Sequence, residues 1–94
     1  MSNDSSASIE PREEVTWFAQ QMEEKLREND WKGGWKDCRI QYLFEKLDEE
    51  VHELSVCISN EEVIKEAADV ANVAMMIADI ARTLVEQRSQ DNEG

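Results

Sequence analysis

Leu43-Phe44-Glu45-Lys46-Leu47-Asp48-Glu49-Glu50-Val51-His52-Glu53-Leu54 and Glu66-Ala67-Ala68-Asp69-Val70-Ala71-Asn72-Val73-Ala74-Met75-Met76-Ile77-Ala78-Asp79 decide the fold of this chain. Each reads as a helix with an acidic pair set into an apolar stripe. At roughly 100° per residue, Glu50 with Glu53, and Glu66 with Asp69, each share one helix face, one turn apart. The stripe of the first is Leu43, Leu47, Val51, Leu54 and Ile58, with Glu50 at its edge and Glu53 beside it. The stripe of the second is Val73, Met76, Ile77, Ile80 and Leu84, with Glu66 and Asp69 on the same side. Carboxylates turned towards a core are costly unless a cation compensates them.

Between the two segments, Ser59-Asn60-Glu61-Glu62 is a helix start: Ser59 and Glu62 have capping-box spacing, and Asn60 is an equally good N-cap. Folding the chain back there brings Glu53 opposite Glu66 and Glu50 opposite Asp69. The four carboxylates then converge from two antiparallel helices. They repel one another when bare, and form a hard-oxygen site suited to Mg²⁺ or Mn²⁺ when a cation is shared.

A chain of 94 residues is one small domain, near the size at which a single core gives marginal stability. Glycine and proline are scarce (3 and 1) and β-branched runs are absent, which argues against strands. The expectation is all-α: a bundle of about three main helices per chain, completed by oligomerisation, with residues 12–88 as the helical domain. A net charge of −12 disfavours nucleic acid and anionic membranes as partners. No long apolar run suggests a membrane span, and the N-terminus lacks a signal-peptide pattern. Cys38 and Cys57 lie too far apart along the helix to bridge, so free thiols and a cytoplasmic location are expected.

Residues 1–11 are small and polar and read as a loose tail. Pro11-Arg12-Glu13-Glu14 suits a first helical turn, with acids at the positive end of the dipole. Val15, Phe18, Met22 and Leu26 carry that helix to about Glu28. A loop follows at Asn29–Asp37, where Gly33-Gly34 turns the chain between Trp31-Lys32 and Trp35-Lys36 and Asp37 can cap the next helix. That helix runs from about Cys38 to Cys57, and the last from about Glu61 to Arg88, ahead of a frayed tail at 89–94. The alanine- and methionine-rich stretch Ala67–Ala81 is apolar on nearly every side and reads as the centre of the bundle, partly covered by a second subunit.

The pattern Glu49-Glu50-x-x-Glu53 followed by Glu66-x-x-Asp69 resembles the EExxE…ExxD signature of the MazG-like all-α nucleoside triphosphate pyrophosphohydrolases, a group related to the dimeric dUTPases. Lys46-Leu47 before it and Val70-x-Asn72 after it fit as well, and the likeness covers roughly residues 13–86. The resemblance implies a Mg²⁺-dependent enzyme that cleaves a nucleoside triphosphate to monophosphate and pyrophosphate and works as a dimer or tetramer. It implies Glu50, Glu53, Glu66 and Asp69 as metal ligands, and Glu49 as a residue that supports them or assists the attacking water.

The chemistry of the residues supports the same roles, since phosphate attack needs charge neutralisation and an oriented water. Lys32, Lys36 and Lys46 are candidate phosphate partners, Trp31 and Trp35 candidate base-stacking groups, and Asn72 a candidate for orienting a ligand or substrate oxygen. Against each stands a plainer reading. With 22 acidic residues, Glu-x-x-Glu spacing arises readily by chance. The tryptophans can pack as a lid over the bundle end, and Lys46 can form an i,i+4 pair with Glu50. Glu49-x-x-His52 has the spacing of di-iron bundles, but His52 points away from the stripe and has no second copy. Met75 and Met76 are core filler. The competing function is a non-catalytic helical interaction module.

Overall fold

The structure, a computed structural model, describes residues 9–29 and 34–93, with side chains as far as residue 89. Among them the regular structure is entirely α-helical: α1 spans Glu13–Asn29, α2 Ile40–Ser55 and α3 Asn60–Glu93. α3 is the spine. Its 34 residues, at about 1.5 Å each, account for the longest dimension of the molecule, 52 Å. α1 and α2 both pack along α3, and their own backbones do not come together.

α1 opens where Thr16 N–H donates to the Arg12 carbonyl, with Glu13 and Glu14 in the first turn as the helix dipole favours. Pro11 therefore sits just before the helix rather than in its first turn. Gly34 has φ +67°, and no neighbouring atom would crowd a Cβ there, so backbone conformation rather than space calls for glycine. Asp37 does not cap α2. Arg39 occupies the N-cap position with extended backbone and makes no side-chain cap bond. Cys38 N–H is instead drawn back to the Trp35 carbonyl (3.0 Å), a turn that holds residues 35–38 outside the helix.

The turn between α2 and α3 is a capping box centred on Ser59 rather than Asn60. Ser59 Oγ accepts from Glu62 N–H at 3.1 Å, and Glu62 Oε1 reaches back to Ile58 N–H at 3.3 Å. α2 closes before it, with Val56 N–H on the Glu53 carbonyl and Cys57 N–H on the Leu54 carbonyl, each at 3.3 Å. The end expected to fray after Arg88 continues as helix to Glu93. Ser89-Gln90-Asp91-Asn92 contains neither proline nor glycine to stop it.

Leu43, Val73 and Met76 form the buried centre, surrounded by Leu26, Trp35, Cys38, Leu47, Met75, Ile77 and Ile80. The stripe of α2 runs through Leu43, Leu47, Glu50 and Leu54. Val51 (47 % exposed) and Ile58 (94 %) fall outside it, and so does Leu84 on α3. The offset has a geometric cause: the 43, 47, 50, 54 spacing follows the seam of a helix pair, and it selects a glutamate in place of its valine neighbour. Ala74, Ala78 and Ala81 are exposed, so the back of α3 is not buried within one chain. No described helix is long and apolar enough to cross a membrane.

Candidate metal centre

On α3, a line of polar residues runs among the apolar ones that face the other helices. Asp69, Asn72, Met76, Asp79 and Thr83 follow each other at alternating spacings of three and four, with Asn72 and Asp79 buried. The two acids among them meet opposite surroundings.

Asp79 is saturated. The Trp35 indole N–H donates to its Oδ2 at 3.0 Å, Lys36 Nζ lies 2.6 Å from the same oxygen, and Arg82 pairs with Oδ1. These donors, Lys36 first, hold its carboxyl well below the usual aspartate range. Lys36 also lies 5.7 Å from the centre of the Trp35 ring. The cluster pins the 34–39 segment to α3, and it binds Trp35 and Lys36, both candidate substrate contacts, through one carboxylate.

One end of the hairpin holds the opposite case. Carboxylate oxygens of Glu50, Glu53 and Glu66 lie within 4.8 Å of one another. α2 presents the first two from its seam edge, and α3 presents Glu66 in its second turn. Asp69, one turn further on, is outside this trio and faces Lys25 of α1 at 3.6 Å. Lys46 approaches Glu50 at 3.7 Å. Both separations exceed the about 2.7–2.9 Å of a charge-assisted hydrogen bond, so neither lysine saturates its carboxylate. Glu66 Oε1 is shut off from solvent and has no hydrogen-bond partner.

The electrostatic consequence is uniform. Burial raises Glu50, aided by Glu53 and Asp69 and opposed by Lys46. Burial raises Glu66, aided by Asp69 and Glu53 and opposed by Lys25. Asp69 is also raised, chiefly by burial, with Lys25 pulling the other way. Carboxylates pushed up in this way are short of positive charge.

A small divalent cation fits that shortage. In octahedral coordination with bonds of about 2.1 Å, neighbouring oxygens stand about 3.0 Å apart and opposite ones about 4.2 Å, so a trio within 4.8 Å would draw together around such an ion. The donors are hard oxygens, which favours Mg²⁺ or Mn²⁺ over softer metals. Cys57, a free thiol as is Cys38, is raised by burial and by Glu62, Glu66 and Glu53, and is a poor soft ligand in consequence.

Among the remaining expected site residues, Glu49 is exposed on the outer side of α2 next to Glu50, and His52 is exposed beyond it. Asn72 is 4 % exposed; its Nδ2 donates to the Met22 carbonyl of α1 at 2.9 Å, while its Oδ1 has no partner. Trp31 and Lys32 lie outside the described residues. Two participants escaped the sequence reading. Lys25 follows Met22 by three and Phe18 by seven, which puts it on the apolar face of α1; that spacing was its signal. Asp79 interrupts an apolar run between Ile77 and Ile80, the signature of a buried, paired acid. No family model, curated protein or solved structure matches the chain.

Proposed function

We propose that this protein is a Mg²⁺- or Mn²⁺-dependent nucleoside triphosphate pyrophosphohydrolase of the MazG-like kind, acting as a homo-oligomer. The reading is supported above all by one observation: acids converge from α2 and α3, they are under-neutralised, and one oxygen of Glu66 is sealed away without a partner. A purely structural acid network would be saturated as Asp79 is.

In the proposed reaction, water attacks the α-phosphorus of a (d)NTP. The bond from that phosphorus to the α–β bridging oxygen breaks, and pyrophosphate leaves with the oxygen. With Asp69 one turn further on as the fourth ligand, Glu50, Glu53 and Glu66 would hold the cation. When bound, it supplies charge neutralisation for the polyphosphate and lowers the pKa of water. Glu49 stands beside Glu50 on the open side and takes the proton of the attacking water. Lys46, already next to Glu50, is placed to receive a phosphate oxygen. Asn72, one turn beyond Asp69 on α3, keeps a buried Oδ1 without a partner.

The test is pyrophosphate release from a panel of ordinary and base-modified NTPs and dNTPs with Mg²⁺. Release no faster than that of a Glu50→Gln, Glu53→Gln double variant rejects the enzyme. The exposed apolar residues, among them Val56, Ile58, Val63, Ile64 and Val85, favour self-association under either reading, as enzyme or as interaction module. The two separate in melting experiments. Mg²⁺ and nucleotide raise the Tm of the enzyme by binding linkage and leave that of a simple interaction module unchanged.

A further inference from the structure

Lys25 has no part in the reaction as set out above, yet among the ion-paired lysines it is the most enclosed. Its side chain is 17 % exposed, against 30 % for Lys46 and 65 % for Lys36. Enclosing an ammonium is costly, and a residue needed only for solubility would turn it outward. Lys25 is instead fixed over the acids by a second contact. Asn72 donates to the carbonyl of Met22, one turn before Lys25 on α1, and stands one turn beyond Asp69 on α3. The rungs Met22–Asn72 and Lys25–Asp69 therefore run antiparallel, and the buried amide sets where the ammonium lies.

What the ammonium does there is incomplete. It is shared between Asp69 at 3.6 Å and the exposed Glu28 at 3.5 Å, and it reaches no atom at charge-assisted hydrogen-bonding distance. Two enclosed polar atoms on α3, Glu66 Oε1 and Asn72 Oδ1, one turn either side of Asp69, have no partner at all. The four carboxylates are approached by only two lysines, Lys46 and a Lys25 already shared with Glu28, so the cluster keeps a net negative charge that a divalent cation would offset. Once that cation is present, Lys25 and the metal are like charges competing for Asp69. An ammonium on a flexible four-carbon stem, left with only the exposed Glu28, is then free to swing towards incoming anionic oxygen.

The geometry points to Lys25 as the built-in counter-ion of the acid cluster, yielding Asp69 to a divalent cation and turning its ammonium to the polyphosphate of the substrate. This rests on the metal-dependent reading above and adds a residue and a sequence of binding to it. It also makes the order of addition defined: cation first, polyphosphate second.

The experiment uses the full chain with Mn²⁺ and inorganic tripolyphosphate as probes. Mn²⁺ binding is followed by electron paramagnetic resonance, and tripolyphosphate binding to the Mn²⁺-saturated protein by calorimetry. Lys25→Met is expected to bind Mn²⁺ alone several-fold more tightly and tripolyphosphate about tenfold more weakly, the worth of one charge-assisted contact. Lys25→Arg should restore the second constant. In the wild-type protein, acylation of Lys25 read by mass spectrometry should rise when Mn²⁺ is added and fall again with tripolyphosphate, a readout that needs no variant to fold. Mn²⁺ binding with unchanged Lys25 acylation, or a Lys25→Met protein that loses stability while both constants stay put, overturns the role of Lys25 alone. Failure of the wild-type protein to bind Mn²⁺ overturns the metal reading beneath it.

Discussion

Glu66 and Asp79 lie thirteen residues apart on one helix and have opposite electrostatic fates. Asp79 collects three donors and stays ionised; Glu66 collects none on its inner oxygen and is pushed towards protonation. Glu66→Gln should therefore raise the Tm of the metal-free protein by a few degrees, the scale of about 1 kcal/mol in a domain of this size, and abolish any rise on adding Mg²⁺. Asp79→Asn should do the reverse, lowering Tm while leaving the Mg²⁺ response intact. Thermal melts in EDTA and in Mg²⁺ compare the two directly, and a lower metal-free Tm for Glu66→Gln would make that residue structural. The same contrast gives a pH profile. Glu50, Glu66 and Asp69 have folded pKa values above their unfolded ones. Their stability contribution is full below the unfolded values and is lost as pH rises through the folded ones. Asp79 is lowered, so its contribution is present above the ordinary aspartate value and is lost as pH falls below it. Metal-free protein should thus be most stable in mildly acidic solution, and saturating Mg²⁺ should move the maximum towards neutrality. A Tm–pH curve in EDTA that rises steadily to neutral pH would contradict this.

Helix ends and seams show how far local pattern reaches. The turn at Ser59 is written in the sequence because a capping box is a local device, satisfied by atoms within four residues. Ser59→Ala should cost about 1 kcal/mol, measurable by urea denaturation, and Ser59→Asp should cost little. The three helices and the acid pairs were legible for the same reason: periodicity and spacing are properties of one helix at a time. Partnership between helices was not. Whether α2 turns Glu50 or Val51 to its neighbour is decided by the seam it shares with α3, and both choices fit an apolar stripe drawn on α2 alone. Lys25 was missed because a lysine on a stripe acquires meaning only from the acid on another helix. Asp37 looked like the cap of α2, but the tie of Trp35 to Asp79 holds that segment off the helix until Ile40. α3 continues to Glu93 because nothing in its last turns stops it, while polarity there had suggested fraying.

At the scale of the whole molecule, the internal core is small for the apolar surface left outside it. Among the described residues, Leu43, Ala68, Val73 and Met76 are the buried apolar ones, whereas Val51, Val56, Ile58, Val63, Ile64, Leu84 and Val85 are all exposed. A domain near the lower limit of independent stability gains most from covering such surface with a second copy. The back of α3 suits that contact: Ala74, Ala78 and Ala81 are exposed on it and let another helix approach closely, with Val85 continuing the line. Charge acts against it, because each chain carries a net −12. Repulsion between exposed charges is screened over about 10 Å at 0.1 M salt, whereas apolar burial is not weakened by salt. Association should therefore tighten as ionic strength rises, the reverse of a complex held by salt bridges. In light scattering, the mass should move from one chain towards a dimer or tetramer with rising protein concentration and with NaCl, and Tm should rise with protein concentration. Ala78→Glu, which adds a charge at an exposed position on the back of α3, should shift the mass towards one chain while far-UV circular dichroism stays helical. A monomer at all concentrations and salts, with a cooperative melt, would mean that the core described is sufficient by itself and that the exposed apolar residues serve another partner.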